Sequence, residues 1–102
     1  MTVNTGETIV EQFLSLDSNN NPVSAATFNS IILKDGTVDA GTIITISLIN
    51  AATGIFGASW SAASYGDYQI YIKNNITNVI FMSDKVNVIP DNEFEQNIFL
   101  GL

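Results

Sequence analysis

A chain of 102 residues that carries a net charge of −7 and has neither His nor Cys excludes several kinds of chemistry at once. Only His titrates near neutrality without perturbation, so His-based triads and His-ligated metal sites are ruled out; thiolate nucleophiles, disulfides and zinc–sulfur sites fall with the missing Cys. Three Lys against ten carboxylates repel phosphate backbones and anionic lipid, so neither a nucleic-acid nor a membrane partner is expected.

Runs rich in Ile, Val, Thr, Phe and Tyr, separated by Gly, Asn, Asp and Pro, predict strands along the whole chain. The first run covers residues 8–16 and stops at Asp17-Ser18-Asn19-Asn20-Asn21-Pro22, a turn cluster. The second, 25–34, stops at Asp35-Gly36, and the third, 42–50, at Ala51-Ala52-Thr53-Gly54. Residues 55–61 form the fourth run and 67–73 the fifth; Asn74-Asn75 then turns the chain into 78–82, and 85–89 ends at Pro90. Period-2 alternation puts Phe56, Ala58 and Trp60 on one face, and likewise Tyr68, Ile70 and Ile72. Ile44, Ile46 and Leu48 are expected to face inward, and Ile43, Ile49, Tyr71 and either Ile31 or Leu33 outward. Trp60 is expected at the centre of the core, with Phe56, Ile46 and Ile70 around it. No helical period is convincing. About seven short strands with regular turns predict an all-β, antiparallel β-sandwich.

The length suits one domain, expected over residues 1–90, with an extended C-terminal tail at 91–102. Asp91, Glu93 and Glu95 open that tail, and Ile98-Phe99-Leu100-Gly101-Leu102 close it. If the tail is extended, Phe94, Ile98, Leu100 and Leu102 share a face, and pairing with a sheet edge would satisfy the backbone and bury that strip together. The candidate interface is therefore Phe94, Ile98, Phe99, Leu100 and Leu102 with outward-facing Tyr71 and Ile43. No apolar stretch is long enough to span a bilayer, and residues 1–6 lack the basic and apolar regions of a signal peptide, so synthesis in a cytosol is expected.

Catalytic and metal-binding readings are weaker than their structural alternatives. Asp17-x-Asn19-x-Asn21 has the opening spacing of a calcium loop, but Pro22 stands where that loop needs Gly and Phe28 where it needs Glu; an Asn-rich turn is the better reading. Glu7 with Glu11, or Asp91, Glu93 and Glu95, supply carboxylate pairs, yet glycoside hydrolysis needs a deep cleft, and solvated rim carboxylates are expected. Ser59, Ser61 and Ser64 lack a His to activate them, and nothing in the spacing supports a pairing with Lys73 or Lys85. Tyr65 and Tyr71 are candidates for stacking on a sugar. No enzyme, cofactor or metal is expected.

Two phrases carry a resemblance. Gly54-Ile55-Phe56-Gly57-Ala58-Ser59-Trp60, followed by Gly66-Asp67-Tyr68-Gln69-Ile70-Tyr71-Ile72, is similar to the adjacent strands near the end of bacterial and phage immunoglobulin-like domains. Asn21-Pro22-Val23, before a strand ending in Lys34-Asp35-Gly36, resembles the opening of the same domains. The resemblance covers roughly residues 8–89 and implies an immunoglobulin-like sandwich in which Tyr68 is a tyrosine-corner residue and Ile70 stands where antibody domains have Cys. Residues 74–84, Pro90-Asp91 and the apolar end look like small phage virion proteins built from one such domain. That resemblance implies a structural virion protein, first an auxiliary (decoration) capsid protein whose partners are the major capsid protein and neighbouring copies of itself. The alternatives it leaves are a neck, tail or baseplate component and, from another class, a carbohydrate- or host-surface-binding module.

Overall fold

A computed structural model of the chain describes residues 1–90. The expected tail, with Phe94, Ile98, Phe99, Leu100 and Leu102, lies outside the described residues. Nine strands run in the order β1 (Thr2–Asn4), β2 (Ile9–Leu14), β3 (Phe28–Lys34), β4 (Thr37–Val38), β5 (Thr45–Asn50), β6 (Ile55–Trp60), β7 (Gly66–Asn74), β8 (Ile80–Met82) and β9 (Val86–Ile89), with no helix among the described residues. Seven of them coincide with the predicted runs. β1 and β4 are additions, both too short to show an alternation.

The strands form two sheets. The larger has the order β1-β9-β7-β3-β4 with β8 also beside β7, and the smaller is β2-β6-β5. The strands of the two aromatic-rich phrases, β6 and β7, are consecutive in sequence but lie in opposite sheets. All pairs are antiparallel except β1 with β9, which bring the two ends of the described chain together in parallel. β8 and β9 share one edge of β7: β9 pairs with Gly66, Asp67 and Tyr68, and β8 with Tyr71, Ile72 and Lys73. Ser83 bridges the break between them. Its N–H donates to the Ile70 carbonyl and its hydroxyl accepts the Ile70 N–H, both at 3.0 Å. The ladder is thus completed by one residue outside any strand.

Asp35 and Gly36 both have positive φ, 51° and 84°, and join β3 to β4 as a two-residue turn of the primed type that matches strand twist. Asp35 also exchanges bonds with Asp67: its N–H donates to the Asp67 carbonyl at 2.7 Å, and its carboxylate accepts the Asp67 N–H at 2.9 Å.

The core lies between the sheets, where the alternation places it: Ile9 and Phe13 from β2, Ile32 from β3, Phe56, Ala58 and Trp60 from β6, Tyr68, Ile70 and Ile72 from β7, and Val86 and Val88 from β9 are all buried. It does not centre on Trp60. Phe13, Phe28, Phe56 and Phe81 make one aromatic group with ring centroids 4.8–6.0 Å apart, while Trp60 packs on Tyr68 at 5.4 Å. Phe56 and Trp60 are four residues apart on one strand, roughly 13 Å, so the two share a face without touching. Leu48 has the predicted inward phase opposite Phe56 but stays 45% exposed, because β5 is an edge strand whose register shifts between Leu48 and Asn50.

Candidate interaction surface

The larger sheet presents an apolar outer face. Its central row is set by register: Ile31 of β3 stands opposite Tyr71 of β7, and Tyr71 opposite Met82 of β8. One row along, Asn29, Lys73 and Ile80 are aligned in the same way; on the other side Leu33 lies between Val38 and Gln69. Ile31 is 48% exposed, Met82 56% and Ile80 61%. The Tyr71 ring lies along the sheet, its hydroxyl directed to the Gln69 side-chain oxygen at 3.4 Å, and Gln69 in turn donates to the Ser83 carbonyl at 2.8 Å. Asn29, Ser30, Ile31, Tyr71, Lys73 and Ile80 line a shallow groove on this face. The Lys73 side chain makes no hydrogen bond or ion pair with another described residue. The opposite end of the face has another hollow, lined by Leu33, Asp35, Gly36, Asp67, Gln69 and Lys85 among others, so its carboxylates outnumber its cation.

The predicted interface residues are only partly brought together. Tyr71 sits at the middle of the apolar row. Ile43 is 80% exposed, but it leads into β5 of the other sheet and is not part of that row. Ile80 and Met82 belong to the surface and were not singled out by the alternation, because a three-residue strand shows its phase only through its pairing with β7. The smaller sheet also exposes Val10, Leu14 and Ile49, but the polar Gln12, Thr45, Ser47 and Ser59 interrupt its outer face, and the Ile49 side chain lies over Gly57.

Tyr65 and Tyr71, the two candidates for stacking on a sugar, are separated by six residues of extended chain, roughly 20 Å. The carboxylates fare no better. The Glu7 side chain accepts the Asn4 N–H at 3.2 Å. Glu11 corrects the expectation of a solvated rim, since it points inward from β2 between Ile9 and Phe13 and is half-buried. Burial, and secondly the charge of Asp84, raise its carboxyl above the usual glutamate range. Asp17 is the hub of its turn. Its carboxylate accepts the N–H groups of Asn19 and Asn21, at 2.8 and 2.9 Å, and these bonds hold its pKa below the usual aspartate range. Ser64 is the one predicted serine near a lysine side chain, and the partner is Lys34, whose ammonium donates to the Ser64 hydroxyl at 2.6 Å. A donating ammonium does not activate a hydroxyl for attack; the contact fastens the segment before β7 to β3.

The Tyr68 hydroxyl donates to the Ser64 carbonyl, four residues upstream, at 2.9 Å. That is the tyrosine-corner bond of immunoglobulin-like folds, with Ile70 fully buried two residues on. No family model matches the chain, and no curated protein matches it. Among solved structures it is similar to the crystal structure of the Lin-41 filamin domain, with a TM-score of 0.63 and 13% sequence identity over 85% of this chain and 81% of that one. At that identity the likeness speaks for the fold alone: the chain is an immunoglobulin-like β-sandwich of the kind seen in a filamin domain.

Proposed function

We propose that this chain is a structural virion protein of the auxiliary capsid type, which binds the shell and neighbouring copies of itself and strengthens the shell by lateral contact. The observation that carries the reading is the continuous apolar row Ile31–Tyr71–Met82 on an exposed sheet face, a feature that marks contact surfaces on small domains. The residues that resemble small phage virion proteins supply the kind of assembly. Burying a large apolar side chain fully stabilises by about 1.5–3 kcal/mol, and these side chains are already half-covered, so one contact contributes only a few kcal/mol before ordering costs. Such a contact is weak alone and effective when a symmetric shell repeats it many times. The role is non-catalytic.

The test compares purified particles made with and without this chain, by protein stain and by heating. A copy number that follows the number of capsomers, together with shells that open at lower temperature without the chain, is the expected result. Absence of the chain from purified particles overturns the proposal. A copy number that matches a single ring overturns the shell assignment and moves the protein to the neck, tail or baseplate.

A further inference from the structure

The outer face of the larger sheet has a chemistry that selects its occupant. Its apolar row is bordered at one end by Lys73, with no carboxylate lining that groove; the other end holds Asp35 and Asp67 beside Lys85. A fitting ligand is an apolar segment that carries acid at one end. Residues 91–102 have that composition: Asp91, Glu93 and Glu95 precede Ile98, Phe99, Leu100 and Leu102, with no basic residue among them. We infer that the face bordered by Lys73 receives residues 91–102 of a second copy of this chain, with the acidic part beside Lys73 and the apolar part across Ile31, Tyr71 and Met82.

Geometry favours a second copy over the chain's own tail. β9 runs antiparallel to β7 and ends beside Gly66, so Pro90 lies at the Asp35–Asp67 end of the face. A tail turning back onto its own face would lay Asp91, Glu93 and Glu95 against those like charges. Lys73 is seven residues along β7, roughly 23 Å away. A tail from a neighbour can enter at the Lys73 end, and the five residues 98–102, roughly 17 Å when extended, span the apolar row from there. The contact is heterologous, tail to face, so it propagates into rings or arrays and does not close as a two-fold pair. The inference stands apart from the virion reading, since self-association is measured on the isolated protein.

The experiment is a complementation test on the full chain by sedimentation velocity across a concentration series. Wild type is expected to associate beyond the monomer, and more weakly at high salt. A face variant, Ile80→Asp with Met82→Asp, and a tail variant, Ile98→Asp with Leu100→Asp, are each expected to be monomeric. Mixed, they are expected to form a heterodimer, because the first keeps an intact tail and the second an intact face. Both changes on the face replace side chains more than half exposed, and unchanged circular dichroism verifies folding. Lys73→Glu is expected to weaken wild-type association several-fold at low salt. A monomeric wild type overturns the inference. So does a mixture that stays monomeric, which would mean that the tail does not seat on this face, or association that survives the tail variant, which would mean that face meets face or that another surface is used.

Discussion

The side-chain amide of Asn74 donates to the Ser15 hydroxyl at 2.8 Å, a buried bond that joins the end of β7 in one sheet to the residue after β2 in the other. Ser15 passes the bond on, its hydroxyl donating to the Val23 carbonyl at 2.7 Å. The Asn74 side-chain oxygen accepts the N–H groups of Ile76 and Thr77, at 2.9 and 3.1 Å, and so shapes the turn toward β8. This hydrogen-bonded chain thus ties the two sheets together beside the Phe13, Phe28, Phe56 and Phe81 rings at this end of the sandwich. Asn74→Ala removes three bonds and leaves part-buried donors unpaired, so a loss of about 2–3 kcal/mol is expected in urea unfolding. A loss below about 0.5 kcal/mol would mean that water replaces the network.

At the other end of the core, Trp60 and Tyr68 pack together across the sheets, and the Tyr68 hydroxyl closes the corner onto Ser64. Trp60 is 3% exposed, and Trp60→Ala is expected to destabilise by about 3–5 kcal/mol. Tyr68→Phe keeps the ring and loses the corner bond, with an expected effect nearer 1 kcal/mol. Thermal unfolding separates the two, at about 4–8 °C per kcal/mol for a domain of this size. Unchanged unfolding of Trp60→Ala would contradict the sandwich core.

Much of this fold is legible in the alternation of long strands, and what escapes it has identifiable causes. Phe56, Ala58 and Trp60, and again Tyr68, Ile70 and Ile72, are buried as their period predicts, because each strand carries one face into the core. β1 escapes because its partner is β9, more than eighty residues away, and a parallel pairing between chain ends leaves no local mark. β4 escapes because Asp35-Gly36 reads as a stop, whereas the pair is also the sequence of a two-residue hairpin. Tyr71 is identifiable as outward-facing from sequence, but its neighbours Ile31 and Met82 are set by register between strands distant in the chain. Register, unlike period, is not a local property. Glu11 follows the inward period of β2 between Ile9 and Phe13, a signal that its charge masks.

Gly54 has a left-handed backbone, φ +72°, and a Cβ there would collide with the Ser15 carbonyl. Its own carbonyl accepts the Ser15 N–H at 2.7 Å, so the two backbones are locked at close approach. Gly54→Ala is expected to destabilise by about 2 kcal/mol or more, the conformational penalty adding to the collision. Gly57→Ala is the control: its Cβ would meet only the tip of Ile49, at 2.8 Å, which can rotate away toward solvent. Equal losses in the two variants, read by urea unfolding, would refute the backbone argument.

Glu11 gives the fold a pH dependence whose sign follows from its inward position. Burial and the charge of Asp84 both raise its carboxyl in the folded state, so between the usual glutamate value and this raised one the folded chain binds more protons than the unfolded chain. Stability from this group is therefore fully present below about 4.3, the unfolded value, and is lost as the pH rises through the folded value. Asp17 and Asp39 act in the opposite sense. Asp17 is held low by the N–H groups of Asn21 and Asn19, and Asp39 by the Thr42 hydroxyl and the Gly41 N–H, so their contribution is present above the usual aspartate value and lost as the pH falls through the depressed ones. Glu11→Gln isolates the first effect, since it preserves the shape and removes the charge. The variant is expected to be more stable than wild type at pH 7, and the difference to shrink as the pH is lowered toward 4, where wild-type Glu11 is itself neutral. Urea unfolding of both proteins between pH 4 and 8 measures the difference directly. A gap that is constant with pH would show that Glu11 is solvated in both states, and a variant less stable at pH 7 would show that its charge is held by an attractive partner.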